Sequence, residues 1–144
     1  MITANPKNEF VLDFDRDPIR RAVFSIVQKE PEKYILVNDD TVLHRIRLHE
    51  KGILLDVGYH IDFVLEIMSD SQTKVQIIVS RKIGAIDNQT EVHNSNYILK
   101  EITDKFSSYL SGKVDESGKA VIPKNDGCIG VLVLLILVSY FFLW

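Results

Sequence analysis

The chain is nearly without cysteine, and what it lacks narrows its class before any pattern is read. Its 144 residues hold one cysteine, Cys128, so no intramolecular disulfide can form and a folded part must be held by packing. An excess of cations is missing too. Lys and Arg number 17 against 20 Asp and Glu, for a net charge of −3, whereas phosphate-rich partners are bound through a concentrated cationic surface. Nucleic acid is therefore not expected as a partner. There is no Gly-x-Ser-x-Gly elbow and no glycine loop that would cradle a phosphate, and the single thiol lies in the apolar C-terminal stretch, so no nucleophilic constellation is recognisable. On that ground neither an enzymatic activity nor a cofactor is expected. Residues Met1 to Glu9 have no basic segment followed by an apolar run, and a secretory signal is not expected either.

What is present divides near residue 127. The first 127 residues carry all 37 charges, and the 17 residues from Cys128 to Trp144 carry none, 15 of them being apolar. As a helix this last stretch would extend about 25 Å, at the short end of what a hydrocarbon core of about 30 Å accepts. It is apolar on every side, unlike a surface or interfacial helix, which needs a polar stripe. Ile129, Leu132, Leu135 and Ile136 would meet lipid, and Tyr140, Phe141, Phe142 and Trp144 would form the aromatic belt at the far interface. Lys113, Lys119 and Lys124 precede the stretch and no cation follows it. The positive-inside bias then leaves the N-terminal part in the cytoplasm, and the chain is expected to be a single-pass, tail-anchored membrane protein.

The remainder reads as a short tail over 1–8, a folded domain over 9–110 and a flexible linker over 111–127 rich in Gly, Ser, Lys and Asp. Glu9 to Phe14 alternates as a first strand with Phe10, Leu12 and Phe14 on one face. A helix follows, capped by Asp17 with Pro18 in its first turn, and its apolar stripe is Ile19, Ala22, Val23, Ile26 and Val27. Glu30-Pro31 stops it. Strands are expected over Tyr34 to Val37 and Val42 to His49, separated by the turn formers Asn38, Asp39 and Asp40. From Ile53 to Ile67 every odd position is apolar, which is the period of a sheet, with Gly58 marking a bend or bulge. Ser69 to Gln72 turns this run into a strand over Thr73 to Ser80 whose inward residues are Val75, Ile77 and Val79. Glu91 to Leu110 is a long helix with Leu99, Ile102, Phe106 and Tyr109 on its stripe, ended by Ser111-Gly112. The order defines an α+β fold: a curved antiparallel sheet of five or six strands with an N-terminal helix and a long C-terminal helix on one face.

The strand at Phe10 leading into the Asp17-Pro18 helix, the meander ending in Thr73-Lys74-Val75-Gln76-Ile77-Ile78-Val79-Ser80, and the closing helix with Tyr97-Ile98-Leu99-Lys100 together resemble small START-like proteins. These belong to the helix-grip superfamily that includes the birch-pollen-allergen type. The resemblance covers residues 9 to 110 and rests on order and pattern. It implies an apolar or lipid-like ligand held between sheet and C-terminal helix. Mapped on this sequence, the lining would be His44, Ile46, Phe63, Tyr97, Leu99, Ile102 and Phe106. The chain is shorter than the larger members, and a filled core serving as a protein-interaction module at the membrane is the alternative.

The four histidines do not converge by pattern. His44 shares a strand face with Val42, Ile46 and Leu48, and His49 lies on the opposite face with Arg45 and Arg47. His60 and Asp62 share a face with Asp56 and Glu66, the composition of a solvated surface. No metal site is expected. Arg16, Arg20 and Arg21 on the first helix, Arg45 and Arg47 on a strand, and Arg81 and Lys82 after the last strand are candidates for a face toward anionic headgroups, which a membrane tether would bring within reach.

Overall fold

Side-chain alternation and helix capping build seven elements in the computed structural model, which describes residues 4–52 and 58–112. In chain order they are β1 (Lys7–Leu12), α1 (Arg16–Lys29), β2 (Tyr34–Asp40), β3 (Arg45–Glu50), β4 (Tyr59–Ser69), β5 (Gln72–Arg81) and α2 (Gln89–Leu110). The strands form one antiparallel sheet in the order β1-β5-β4-β3-β2, so the two strands flanking α1 in sequence are the two edges of the sheet. Both helices pack on one face, and they contact each other as well as the strands. This is the α+β layering that the sequence predicts, with five strands. Among the described residues no helix is long and apolar enough to cross a membrane; the stretch 128–144 and most of the linker lie outside them.

The period-two pattern sets which side chains enter the core. Ile46 and Leu48 from β3, Tyr59, Ile61, Phe63 and Leu65 from β4, and Val75, Ile77 and Val79 from β5 all point toward the helices and are buried. They meet Ile19, Ala22, Val23 and Ile26 of α1 and Ile98, Leu99, Ile102 and Phe106 of α2 in a single cluster. Phe106 sits between Phe10 and Phe63, its ring centre 6.1 Å from the first and 5.4 Å from the second. Asn8 of β1 donates from Nδ2 to the Thr103 hydroxyl of α2, 3.0 Å away, and fastens the edge strand to the helix layer.

Several boundaries differ from the sequence expectation, each for a local reason. The first strand runs from Lys7 to Leu12, because its partner on β5 is fixed from Ile78 to Thr73. Phe14, expected on that strand, lies beyond it and offers its carbonyl to the Thr73 hydroxyl at 2.9 Å. The cap of α1 is Asp15, whose carboxylate accepts from the Asp17 backbone N–H at 3.0 Å. Pro18 still falls in the first turn, where a missing N–H costs no helical bond. Asn38, Asp39 and Asp40 are strand residues and not the turn. A bulge at Val37 carries β2 through them, and the Asp40 carboxylate accepts from Val42 N and Leu43 N at 2.9 and 2.8 Å. The reversal therefore occupies Thr41–His44, with Val42 and Leu43 exposed at its tip, and β3 begins only at Arg45. Gly58 opens β4 with φ +75°, and a Cβ there would come within 2.3 Å of the Glu50 carbonyl oxygen, so only glycine fits. The part of the predicted alternation over 53–57 lies outside the described residues.

Removing the ring at the centre of the two layers leaves a cavity that the sheet cannot collapse into. Phe106→Ala is expected to cost about 3–5 kcal/mol, read as a drop in the chemical-denaturation midpoint at unchanged slope.

Candidate functional site

The apolar residues that the sequence assigns to a ligand are brought together, with two exceptions. Ile46, Phe63, Leu99, Ile102 and Phe106 all belong to the core cluster, where they touch one another across the two layers. Tyr97 is on the same helix but is 62% exposed. His44 is not on a strand face. It lies in the β2–β3 turn with φ +50°, and Arg16 Nη1 donates to its Nδ1 over 3.1 Å, since a guanidinium has no acceptor. The predicted lining thus separates into a packed interior, one surface tyrosine and one turn histidine.

A cleft of about 660 Å³ opens at the end of the sheet where β3 finishes and β4 starts. Its apolar wall is Tyr59, Tyr97 and Ile98; Asn94 adds an amide, and Glu32, Lys33, Glu50, Lys51 and Glu101 provide charge around it. The α1–β2 connection supplies Glu32 and Lys33 because Glu30 ends α1 there, its backbone N–H donating to the Ile26 carbonyl. The middle of α2 supplies Tyr97, Ile98 and Glu101, three and four residues apart on one side of the helix. Only Tyr97 of this set was singled out in the sequence as ligand-lining. The others were missed because the cleft is made where three chain segments end, and no periodicity marks such a place.

Ion pairs hold one side of the cleft rigid. Lys33 Nζ reaches both carboxylate oxygens of Glu101 at 2.7 Å, and Lys105 Nζ lies 2.8 Å from Glu101 Oε1 and 2.5 Å from Glu30 Oε2. Both ammonium groups stand over the Tyr34 ring, 5.5 and 5.0 Å from its centre. Tyr34 is fully buried, and burial first, then the nearby charges of Glu101, Glu30 and Glu50, push its phenol far above the ordinary range. Burial raises the Glu101 carboxyl, but the bonds from Lys105 and Lys33 outweigh it and leave its pKa below the usual glutamate value.

The seven cations assigned to a headgroup face do not form one. Arg20 makes a bidentate pair with Asp39, Nη1 to Oδ1 at 2.6 Å, and Arg16 is held to His44; both are in the helix layer. Arg45 and Arg47 project from the opposite face of the sheet and close over Asp62, at 2.5 Å for Arg45 Nη2 and 2.7 Å for Arg47 Nε. Arg81 pairs with Glu91 at the start of α2. Arg21 and Lys82 are exposed. Asp62, read in the sequence as part of a solvated surface, is only 2% exposed. Burial alone would raise its pKa, and the two arginines bring it below the ordinary value.

The antiparallel sheet with both helices on one face agrees with the α+β layering expected from the order of elements in the sequence. No family model and no curated protein matches the chain. The solved structures similar to it include two aromatase/cyclases. One is the di-domain aromatase/cyclase BexL from the BE-7585A biosynthetic pathway, at 14% identity and a TM-score of 0.48, aligned over 75% of this chain and 45% of that one. This chain therefore spans less than half of the di-domain protein. The other is the Zhui aromatase/cyclase from Streptomyces sp. R1128, at 6% identity and a TM-score of 0.38, aligned over 74% of this chain and 87% of that one. Likenesses of this degree transfer no chemistry. The sequence expectation that the chain is not an enzyme is corrected: the lack of a familiar motif excludes no activity, since catalytic groups are recognised by geometry and not by sequence position.

The ion-pair geometry sets an acid response. Because the folded-state pKa of Glu101 is depressed, its contribution to stability is complete above the unfolded glutamate value of 4.5 and is lost as pH falls through the folded value. Glu101→Gln is expected to lower stability at pH 7 and to flatten the decline below pH 4.5, both read from denaturation curves across that range.

Proposed function

We propose that the domain binds a small apolar or lipid-like molecule in the cleft at Tyr59, Tyr97 and Ile98, next to a membrane to which residues 128–144 tether it. One observation carries the ligand part: a recess of about 660 Å³ with an aromatic and aliphatic wall and a few polar groups at its margin. Recesses of about 300–1,000 Å³ built in this way are the usual form of small-molecule sites. Lys33 and Glu101, locked to each other, would offer a polar handle to one end of the ligand while the tyrosines cover its apolar body. The tether is supported by the uncharged run 128–144, and the lysines before it favour the cytoplasmic side for the domain, with 111–127 as the spacer.

The cleft is tested with an uncharged polycyclic aromatic fluorophore added to the full chain in mild detergent. Asn94→Trp, which fills the recess, and Tyr97→Ala, which removes one wall, are each expected to weaken binding at least tenfold with thermal melting nearly unchanged. Binding equal to the parent in both variants overturns the reading. The filled interior at Ile46, Phe63, Ile102 and Phe106 favours a second reading, an interaction module without a ligand. That reading gains if neither the fluorophore nor a lipid extract binds the parent.

The tether has its own test. Among the described residues the buried core runs from Ile19 to Phe106, with Phe10, Leu12, Tyr109 and Leu110 packed against it; if 128–144 is a tether, deleting it is expected to turn a membrane-pelleting protein into a soluble one with the same melting transition. A truncated chain that unfolds would show that the run is part of the core. In sealed vesicles displaying the cytoplasmic side inward, protease added outside is expected to spare the domain.

A further inference from the structure

On the sheet face turned away from the helices, the register of β3 and β4 sets His49 directly opposite His60. Sequence pattern gave no convergence of histidines, because each lies on its own strand and only the pairing joins them. Their ring centres are 5.5 Å apart. His49 Nδ1 lies 3.1 Å from the Tyr59 carbonyl oxygen. A carbonyl only accepts, so Nδ1 carries the proton and Nε2 keeps its lone pair. One ring nitrogen donating to a fixed oxygen while the other is left open is how proteins orient an imidazole for a metal. Gly58 contributes by its lack of a side chain, since a Cβ there would stand 2.9 Å from His49 Cε1.

His60 presents the complementary oddity. Its Nδ1 is buried without a hydrogen-bond partner among the described residues, a desolvated nitrogen whose cost nothing visible offsets. Two imidazoles sharing one tetrahedral ion through metal–nitrogen bonds of about 2.0–2.1 Å have ring centres roughly 5.2 Å apart. The separation in the structure is within a few tenths of an ångström of that value. The neighbouring carboxylate, Asp62, is already closed off by Arg45 and Arg47, which leaves nitrogen as the donor and disfavours oxygen-seeking ions such as calcium and magnesium.

We propose that His49 and His60 form a two-histidine site for a borderline divalent ion of the zinc, nickel or copper type, with water in the remaining positions. The site is on the opposite side of the sheet from the core and does not depend on the cleft. Its occupation would tie β3 to β4 across their ladder.

Zinc chloride is the probe, titrated into the full chain carrying Cys128→Ser, which removes the only thiol, with histidine side chains labelled with nitrogen-15. The ring nitrogens of His49 and His60 are expected to shift together and saturate at one equivalent, with the His49 Nδ1 proton retained, while His44 and His93 stay in place. His49→Gln and His60→Gln are each expected to weaken zinc binding at least tenfold. No paired shift up to millimolar zinc overturns the proposal, as does binding confined to His44 or His93, or unchanged affinity in both variants. The paired shifts are read with both histidines intact, so a variant that failed to fold would still leave the question decided.

Discussion

The register between β3 and β4 is the constraint on which the rest depends. It sets Ile46 opposite Phe63 and Leu48 opposite Ile61 on the side of the helices, and Arg47 opposite Asp62 and His49 opposite His60 on the other. A slip of one residue would turn both sets over, exposing the core and driving the charges against α2. The two faces reinforce a single choice. Hydrophobic burial selects it from within, and the two arginines that neutralise Asp62 select it from outside, because a one-residue slip would leave that carboxylate buried without a counter-charge.

The long helix α2 is held differently on its two sides. Near Phe106 the attachment is aromatic and apolar, with Phe10 and Phe63 on either side. Near Glu101 it is ionic, through Lys33, Lys105 and Glu30. Dense apolar packing leaves no room for a guest, whereas charged side chains with long stems hold elements together at a distance and leave space between them. This is why the cleft is on the ion-paired side of α2 while the interior next to Phe106 is full.

Much of the architecture was legible in the sequence. The odd-numbered apolar run gave β4, Val75, Ile77 and Val79 gave β5, and the stripes of both helices were read almost residue for residue, since burial of one face writes a period directly into the chain. The β2–β3 reversal was displaced because Asn and Asp favour turns in general, while here Arg20 draws Asp39 into the strand and Asp40 caps the turn after it. The candidate site was far less legible. Tyr97 was named for a lining between sheet and helix and stands instead exposed beside the cleft, Glu32, Lys33, Glu50, Lys51 and Asn94 meet only through tertiary structure, and His44 was placed on a strand because the turn carries two apolar residues at its tip.

Those strand positions also carry a kinetic consequence. The edge strand β1 is made first along the chain, yet Leu12 pairs with Thr73 and Lys7 with Ile78, on the last strand to be made. Strands β2 to β5 can assemble as a meander of neighbours, each closing a short loop, but β1 must wait for β5 and then close a loop that contains every other strand. Docking of β1 is thus the strand pairing with the longest loop to close. Until that step, the outer side of β5 is an unpaired edge able to accept a strand from another chain, and a crowded refolding mixture would be most vulnerable there.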